Sequence, residues 1–251
     1  MIIIKSDHEV EMMKIPAKFT AEILRDLEGF IKPGISTYDI DQFIEERILA
    51  GGMKPAFKGY GDFPASACVS VNEVVVHGIP SKKVILKEGD IVSVDVGAIY
   101  KGWYSDMART YPVGKISEDA ERLIRATRES FFEGLKYCRA GNYLSDVSHA
   151  IQKRVEADGF AVIRDYVGHG LGQNLHEDPA VPNYGRPGRG PKLKKGMVLA
   201  IEPMVSMGTY EVQVLADEWT AVTCDGKYAA HYENTVVITD GDPEVITLLQ
   251  E

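Results

Sequence analysis

The chain has 251 residues, of which 45% are hydrophobic and 26% are charged, a composition typical of a globular protein with a substantial core. Its formal net charge of −9 argues against a nucleic-acid-binding surface, because such surfaces usually carry a basic patch. It has no apolar run long enough to span a membrane, and the apolar start of MIIIKSDHEVEMM is too short for a secretory signal. Its three cysteines, Cys68, Cys138 and Cys224, form no CxxC pair, so reduced thiols and a cytoplasmic location are expected.

Two helices are predicted at the start of the chain, over residues 18–31 and 38–50. The first ends near a basic residue and Gly34, and Ser36 or Thr37 offers an N-cap to the second. Strand-like runs follow in SACVSVNEVVVHG, DIVSVDVGAIY and GWYSDMARTYPVG.

The second part of the chain repeats this order of elements. Helices are predicted over residues 119–138 and 146–157, the latter with Ser145 as its N-cap. Strand-like runs then occur in MVLAIEPMVSMG, YEVQVLADEWTAVTCDG and YAAHYENTVVITD. This order predicts an α+β fold, in which curved, mostly antiparallel sheet is covered by helices.

The two parts are also similar in sequence. Shifting the chain against itself by 107 residues aligns Gly34 with Gly141 (141 − 34 = 107) and brings many other identical residues together. We therefore predict an internal duplication, with pseudo-symmetric halves at about 6–112 and 113–249, within a single catalytic domain over 1–251. A cleft between two such halves is a natural ligand site.

Acidic side chains lie inside these strand-like runs. At the same offset Asp95 aligns with Glu202 (202 − 95 = 107), so both halves carry an acid at the equivalent position. If Asp95 and Asp106 lie on the two arms of a hairpin that turns near YKGW, their odd separation places both on one face. Glu202 lies in the apolar run MVLAIEPM, and Glu233 begins another β-branched run.

Four buried carboxylates need compensating positive charge. An unpaired, ionised carboxylate costs several kcal/mol in an apolar setting, and neighbouring acids repel one another. Arg109 is the only arginine in these strand segments. A divalent ion such as Mn²⁺, Fe²⁺, Co²⁺ or Zn²⁺, bound by the acids together with one histidine, compensates the charge better.

The histidine ligand is expected in YVGHGLGQNLHEDP. Three alternate glycines surround His169 in this segment, and they permit unusual backbone angles and close approach of a substrate. His176 follows in the same segment, and His77 ends a strand just before a turn. A single histidine is more often a structural residue than a ligand, but the shared setting of glycines and strand ends favours a functional role. His231, close before Glu233, is open to either interpretation.

Together these segments resemble a known family. The motifs KGYGDFPASACVSVNEVVVHGIP, VDVGAIYKGWYSDMA, GHGLGQNLHEDP, MVLAIEPM, DEWTAVT and HYENTVVIT are similar to those of bacterial (type I) methionine aminopeptidases, over residues 6–249. The resemblance implies the pita-bread fold of the creatinase and aminopeptidase enzymes. It also implies a metallo-aminopeptidase that removes N-terminal methionine from nascent proteins and peptides when the second residue is small. The attacking group would be a hydroxide that bridges two metal ions.

The resemblance carries roles over to individual residues. It implies a site for two divalent ions, of cobalt, manganese, iron or zinc, with the ligands Asp95, Asp106, His169, Glu202 and Glu233. Glu202 would also move the proton of the attacking water, His176 would donate a hydrogen bond to the scissile carbonyl, and His77 would lie near the scissile amide nitrogen.

The resemblance also implies a pocket for the methionine side chain. Its walls would be Tyr60, Phe63, Cys68, Leu175 and Trp219, and His77 and His176 would complete the substrate-binding set. Two departures from the family stand out. Leu175 replaces a residue that is commonly aromatic, and HYEN replaces the more usual Gln-aromatic-Glu-His, which leaves the surroundings of Glu233 open.

The partners implied by this resemblance are the N-termini of nascent polypeptides. Transient contact with the ribosome is compatible with that role, while a membrane and specific nucleic acid are not expected, and the chain is expected to be a monomer. Two alternatives remain: an Xaa-Pro-directed peptidase of the same fold, and a metal-free pita-bread protein that only binds its partners. Xaa-Pro enzymes usually carry an additional N-terminal domain, and loss of a metal ligand would mark the binding protein, whereas all the ligand positions are filled here.

Overall fold

The computed structural model describes residues 1–249. In this range the α-helices are α1 (Asp7–Phe30), α2 (Thr37–Ala50), α3 (Glu118–Leu135) and α4 (Leu144–Ala157), and a short 3-10 helix spans Tyr60–Asp62. The strands of the first half are β1 (Lys54–Pro55), β2 (Ala67–Val71), β3 (Val74–Val76), β4 (Ile91–Tyr100) and β5 (Trp103–Pro112). Those of the second half are β6 (Ala161–Val162), β7 (Gly168–Gly170), β8 (Glu177–Val181), β9 (Val198–Ile201), β10 (Met204–Ser206), β11 (Val212–Val214), β12 (Ala221–Thr223), β13 (Ala229–His231), β14 (Asn234–Val237) and β15 (Glu244–Val245).

The strands pair in antiparallel sheets that the helices cover. The long strand β4 pairs with β1, β2 and β5, while a second sheet has the order β15-β14-β9-β7-β8. Two smaller sheets have the orders β13-β10-β6 and β11-β12-β3. Helix α1 packs on β4 and β5 and α2 on β2, whereas α3 and α4 pack together against the strands of the second half. The predicted α+β class with helix-covered antiparallel sheet is confirmed.

Helix α1 begins at Asp7, whereas the sequence predicted a start near residue 18. A capping box starts it: Ser6 Oγ accepts a hydrogen bond from Glu9 N at 3.4 Å, and Ser6 N donates to Glu9 Oε2 at 2.8 Å. Pro16 lies inside the helix and removes one backbone donor, which is why a sequence pattern places the start after it. Burial of the apolar face around Met13, which is 0% exposed, offsets this loss.

The prediction that Ser145 is the N-cap of α4 is wrong, whereas Ser36 caps α2 as expected. Helix α4 begins at Leu144, with Tyr143 at its N-cap position. The hydroxyl of Ser145 instead accepts a hydrogen bond from Arg189 N at 2.6 Å, so it ties the helix to the loop before β9.

Equivalent hydrogen bonds recur in the two halves. Gly34 N donates to Leu86 O at 2.8 Å in the first half. Gly141 N donates to Leu193 O at 2.9 Å in the second, and both members of the pair are shifted by the same amount (141 − 34 = 107; 193 − 86 = 107). The turn between the two helices is thus tied in the same way, in each case, to the segment that precedes a strand of the sheet.

Successive side chains of β4 point alternately into the core and towards the cavity described below. Val92, Val94 and Val96 are each 0% exposed and pack in the core with residues of α1 and α2. Asp95 points to the opposite face of the sheet because successive side chains of a strand alternate. A strand that is apolar on one face therefore presents a carboxylate on the other.

No helix within residues 1–249 combines the length and the apolar character that crossing a bilayer requires.

Candidate metal centre and substrate pocket

A tight hairpin brings two of the predicted acids together. Strands β4 and β5 turn at Lys101 and Gly102, whose φ angles of 49° and 85° match the twist of a two-residue hairpin. Gly97 pairs directly with Asp106, and Asp95 lies two residues before Gly97 on the same strand. Both carboxylates therefore lie on one face of the hairpin, as predicted.

The second sheet supplies the other three predicted ligands. His169 on β7 pairs with Ala200 on β9, and Glu202 lies two residues further on, so His169 and Glu202 share a face. The register of β9 and β14 places Glu233 opposite Glu202, just where both strands leave the sheet. A backbone hydrogen bond of 3.0 Å from Glu233 N to Ala108 O joins this sheet to β5.

The ligand atoms of these residues lie close together. His169 Nε2 is 3.6 Å from Asp106 Oδ2 and 3.6 Å from Glu202 Oε1. Ligand atoms of Asp106, His169 and Glu233 all lie within 4.8 Å of one another. Asp95 lines the same cavity.

The carboxylates are largely buried, and three of them have an oxygen without a protein partner. Asp106, Glu202 and Glu233 are 4%, 9% and 1% exposed. Within the described chain, Asp95 Oδ1, Asp106 Oδ1 and Glu233 Oε1 have no hydrogen-bond partner. Buried acceptors of this kind are costly unless a cation or donor occupies the space between them.

Arg109 does not supply that positive charge. Its guanidinium donates to the backbone carbonyls of Ala108 at 2.8 Å and Glu233 at 2.5 Å, and to Asn234 Oδ1 at 2.7 Å. These bonds hold the chain on either side of Glu233 in place. They leave the inward-facing carboxylate oxygens to another cation.

Burial disfavours the charged forms of this cluster. It raises the pKa of Asp95 to about 7 and that of Glu202 to about 8. Burial and the neighbouring acids hold the pKa values of Asp106 and Glu233 well above their usual range. Burial also lowers the pKa of His169 to about 4, so its imidazole is neutral at pH 7. Neutral imidazole is the form that binds metal.

The ring of His169 is oriented for coordination. Its Nδ1 lies 2.9 Å from Gly170 O, and since a carbonyl only accepts, Nδ1 carries the proton. The lone pair on Nε2 then points at Asp106 and Glu202. Four carboxylates and one such imidazole form a donor set for hard-to-borderline divalent ions, and the residues fit a divalent-metal centre.

A cavity of about 140 Å³ opens beside these ligands. All twelve predicted site residues line it: Tyr60, Phe63, Cys68, His77, Asp95, Asp106, His169, Leu175, His176, Glu202, Trp219 and Glu233. Phe57 and Val76 also line it. Neither was predicted to line a pocket, because the sequence pattern of an apolar residue in or beside a strand does not distinguish a pocket wall from the core.

His77 lines the cavity and has an uncommon backbone conformation. Its φ of 59° is in the left-handed region, which is uncommon for a residue other than glycine and clusters at functional sites. Its ring packs edge-on against Trp219, with centroids 5.8 Å apart, and Trp219 in turn packs edge-on against Phe63 at 5.1 Å. Burial lowers the pKa of His77 to about 4, so it is uncharged at neutral pH.

His176 lies between the metal-ligand cluster and the pocket wall. Its ring centroid is 4.2 Å from that of His169, and its Nδ1 is 2.8 Å from the Tyr60 hydroxyl. When that hydroxyl donates, the proton of His176 resides on Nε2, where it can be given as a hydrogen bond to a ligand in the cavity.

Cys68 is a pocket wall rather than a nucleophile. It pairs directly with Asp95 across β2 and β4, so its side chain faces the cavity. Burial, followed by the nearby carboxylate of Asp95, raises the pKa of the thiol well above its usual value. A neutral thiol is a soft, polarizable surface.

The glycines around His169 serve a different purpose from the one predicted. Gly168 and Gly170 do not adopt left-handed angles. A Cβ atom on Gly168 would instead overlap Ala200 O, and one on Gly170 would overlap Asp178 O. The unusual backbone angles that these glycines permit are therefore not adopted: the missing side chains let β8 and β9 pack closely against β7.

His231, left open by the sequence, lies beside Glu202. Its Nε2 is 3.5 Å from Glu202 Oε2, it is 1% exposed, and burial lowers its pKa to about 4. Asn183 Nδ2 donates to the backbone carbonyl of Glu202 at 2.9 Å. Asn183 thus holds the backbone of Glu202, while His231 lies next to its carboxylate without a hydrogen bond to it in the described chain. Sequence reasoning assigned neither residue to Glu202.

Comparisons with known proteins agree with this geometry. The profile of metallopeptidase family M24 matches residues 11–240. The chain is 57% identical to the methionine aminopeptidase of Clostridium acetobutylicum, over all of both chains, and 51% identical to methionine aminopeptidase 1 of Bacillus subtilis, over 98% of this chain and 99% of that one. The crystal structure of methionine aminopeptidase from Thermotoga maritima matches with a TM-score of 0.97 at 52% identity, covering 99% of this chain and 100% of that chain.

Proline-directed relatives are more distant. The prolidase from Pyrococcus furiosus matches with a TM-score of 0.79 at 23% identity, covering 99% of this chain and 66% of that chain, which is a likeness of fold alone. The fold, the cavity and the full-length relatives agree, and the chain belongs to metallopeptidase family M24, among its methionine aminopeptidases.

Proposed function

We propose that this chain removes the N-terminal methionine from nascent polypeptides whose second residue is small, with Asp95, Asp106, His169, Glu202 and Glu233 holding two divalent ions. The observation that carries the proposal is the convergence of unpaired, buried carboxylates and one oriented imidazole beside an apolar cavity. Bound divalent ions would lower the pKa of a water molecule and polarise the scissile carbonyl. Cobalt, manganese, iron and zinc all suit the donor set.

Two residues of the chain handle protons and charge around the scissile bond. Glu202, buried among the other ligands, would take a proton from the attacking water and pass it to the leaving amine. His176, with its proton directed to Nε2 by Tyr60, donates to the carbonyl oxygen as negative charge develops there.

The pocket selects the N-terminal residue that is removed by binding its side chain. Phe63, Cys68 and Leu175 are 3%, 5% and 3% exposed and form soft apolar walls. Such walls suit a flexible thioether such as methionine. His77 and Trp219 also line the cavity with their rings packed edge-on, and we infer that they lie beside the second residue and limit it to small side chains.

The setting of this activity follows from the substrate. We place the enzyme in the cytoplasm, acting as a monomer on emerging chains, with transient ribosome contact compatible with that role. We also propose that residues 1–251 form one catalytic domain, made of halves at about 6–112 and 113–249. The hydrogen bonds that recur with the 107-residue shift (141 − 34 = 107) support this division.

Both alternatives are less well supported. The full-length relatives at 51% identity and above are methionine aminopeptidases, whereas the prolidase match is one of fold. A metal-free binding protein would not need five ligand-type side chains around one cavity, with three of their oxygens unpaired in the described chain.

Peptide hydrolysis tests the proposal directly. The metal-loaded enzyme is expected to cleave Met-Gly-Met-Met and to leave Met-Leu-Met-Met nearly intact, as measured by chromatography of released methionine. Acetyl-Met-Gly-Met-Met is the control, because blocking the α-amine should prevent cleavage. Equal rates on the first two peptides, or preferential cleavage of an Xaa-Pro peptide, would refute the assignment.

A further inference from the structure

The loop that carries His176 is held from behind by a buried ion pair. Lys5 Nζ lies 2.5 Å from Glu177 Oε2, and the two side chains are 2% and 4% exposed. Glu177 is the residue that follows His176 and the first residue of β8. Because both charges are removed from water, losing either partner leaves the other uncompensated.

Further hydrogen bonds fix each partner of the pair. Lys5 N donates to Gly196 O at 2.7 Å, and Lys5 Nζ donates to Ile3 O at 3.2 Å, so the segment before α1 is anchored beside the loop. The second carboxylate oxygen of Glu177 accepts from Asn174 N at 3.2 Å. Glu177 thus connects Lys5 to the backbone of the loop itself.

The chain leaves room for this pair at Gly172. A Cβ atom there would lie 2.6 Å from Glu177 Oε1 and 2.6 Å from Lys5 Cε. The carbonyl of Gly172 accepts from Tyr104 N at 3.0 Å, which ties the loop to β5, the strand of Asp106. The loop over residues 171–176 is therefore fastened at both its ends.

The orientation of His176 depends on this loop. The only side-chain hydrogen bond of the His176 ring within the described chain is to the Tyr60 hydroxyl, on a side chain that is 43% exposed, so we infer that the backbone of the loop also fixes the ring beside His169. Leu175, which walls the methionine pocket, comes from the same turn. A small displacement of a catalytic group can cost a large factor in rate.

We propose that Lys5 is a positioning residue: its ion pair with Glu177 fixes the 171–176 loop, so that His176 and Leu175 face the reacting carbonyl and the methionine side chain. This inference rests on the proposed function, since it assigns His176 the role of carbonyl donor. The segment before α1, remote in sequence from every metal ligand, then becomes part of the catalytic arrangement.

A double-mutant cycle between Lys5 and His176 tests the proposal. In the otherwise unchanged enzyme, Lys5→Met is expected to lower kcat on Met-Gly-Met-Met by on the order of 10-fold. In a His176→Ala background the same change should cost clearly less, because only its effect through Leu175 remains. An equal loss in both backgrounds would overturn the proposal. Lys5→Arg, which keeps the charge, should restore most of the activity.

Lys14→Met is the matched control, and Glu177→Gln is the second variant. Lys14 also forms an ion pair with a glutamate, at 2.7 Å from Glu244 Oε1, but away from the loop, so kcat should not change. Glu177→Gln removes one charge with little change of shape, and it should reproduce the coupling to His176 if Lys5→Met fails to fold.

A spectroscopic readout separates this inference from the activity itself. In ¹⁵N-histidine NMR spectra, the ring signals of His176, assigned by their loss in His176→Ala, should shift in Lys5→Met and Glu177→Gln but not in Lys14→Met. Unmoved His176 signals would refute the positioning role whether or not the enzyme cleaves methionine. Shifted signals in an enzyme without methionine-specific activity would support it and refute the proposed function.

Discussion

At the scale of the residue, the site is defined by groups that the protein leaves unsatisfied. One oxygen each of Asp95, Asp106 and Glu233 is buried without a partner in the described chain. The nearby Arg109 donates its hydrogen bonds to backbone and amide oxygens instead. Buried polar groups are normally paired, so such a cluster is suited to bind a cation rather than to form a structural network.

Glu202 is expected to be indispensable because the proposed function makes it both a metal ligand and the base. Glu202→Gln should lower kcat by about 10²-fold or more, with little change in the far-ultraviolet circular dichroism. Glu211→Gln, at a glutamate outside the cavity, is the control and should leave kcat unchanged. Near-normal turnover in Glu202→Gln would mean that another group moves the proton.

At the scale of the element, strand pairing explains how distant residues meet. The two-residue turn at Lys101 and Gly102 sets the register that puts both aspartates on one face. The odd spacing of Asp95 and Asp106 predicted this outcome from sequence alone. The start of α1 was not predicted, since Pro16 argued locally against a helix whose stability comes from packing.

Close strand packing around His169 makes its glycines intolerant of a side chain. Gly170→Ala is expected to destabilise the fold by about 2 kcal/mol and to lower metal affinity, because the added Cβ would push β8 away from β7. The measurements are urea unfolding and metal titration. Gly29→Ala is the control: Gly29 lies in α1, and an added Cβ there would meet no atom within 4 Å, so the change should stabilise by about 0.5–1 kcal/mol. Equal effects of the two substitutions would contradict this account of the glycines.

At the scale of the whole molecule, the sequence predicted the residues of the site better than the contacts that hold them. Every one of the twelve named site residues lines one cavity. The acids and histidines stand out in the sequence as breaks in an apolar pattern, whereas the pocket walls were implied only by the resemblance to a known family. The contacts of Lys5 with Glu177 and of His231 with Glu202 join segments far apart in the chain. Such pairings depend on how the sheets pack, which residue patterns do not encode locally.

The stability of the metal-free protein should fall as pH rises from about 6.5 to about 8. Asp95 and Glu202 have pKa values of about 7 and 8 in the fold against 3.8 and 4.5 in the unfolded chain. An acid whose pKa is raised by folding stabilises the fold at low pH and loses that contribution as pH rises through the folded value. Burial lowers the pKa values of three histidines from 6.5 to about 4, namely those of His77, His169 and His231. Their contribution to stability changes with pH in the opposite sense, but only below about pH 6.5.

Thermal unfolding of protein dialysed against chelator checks this pH dependence. Tm should decrease across the window, and added Mn²⁺ should raise Tm more at pH 8 than at pH 6.5, since metal competes with protons for the carboxylates. Asp95→Asn should flatten the metal-free slope. A Tm that rises with pH over this window in the metal-free protein would contradict the burial of ionisable acids.

The most direct test of the account is the metal content of the folded chain. After equilibrium dialysis against Mn²⁺ or Co²⁺, elemental analysis should find two ions per chain in the unchanged protein. The double variant Asp106→Asn, Glu233→Gln should bind neither, while keeping its circular dichroism spectrum. A folded, unchanged protein that binds no divalent metal, or a variant that binds as much as its parent, would contradict the central claim that these carboxylates hold the catalytic ions.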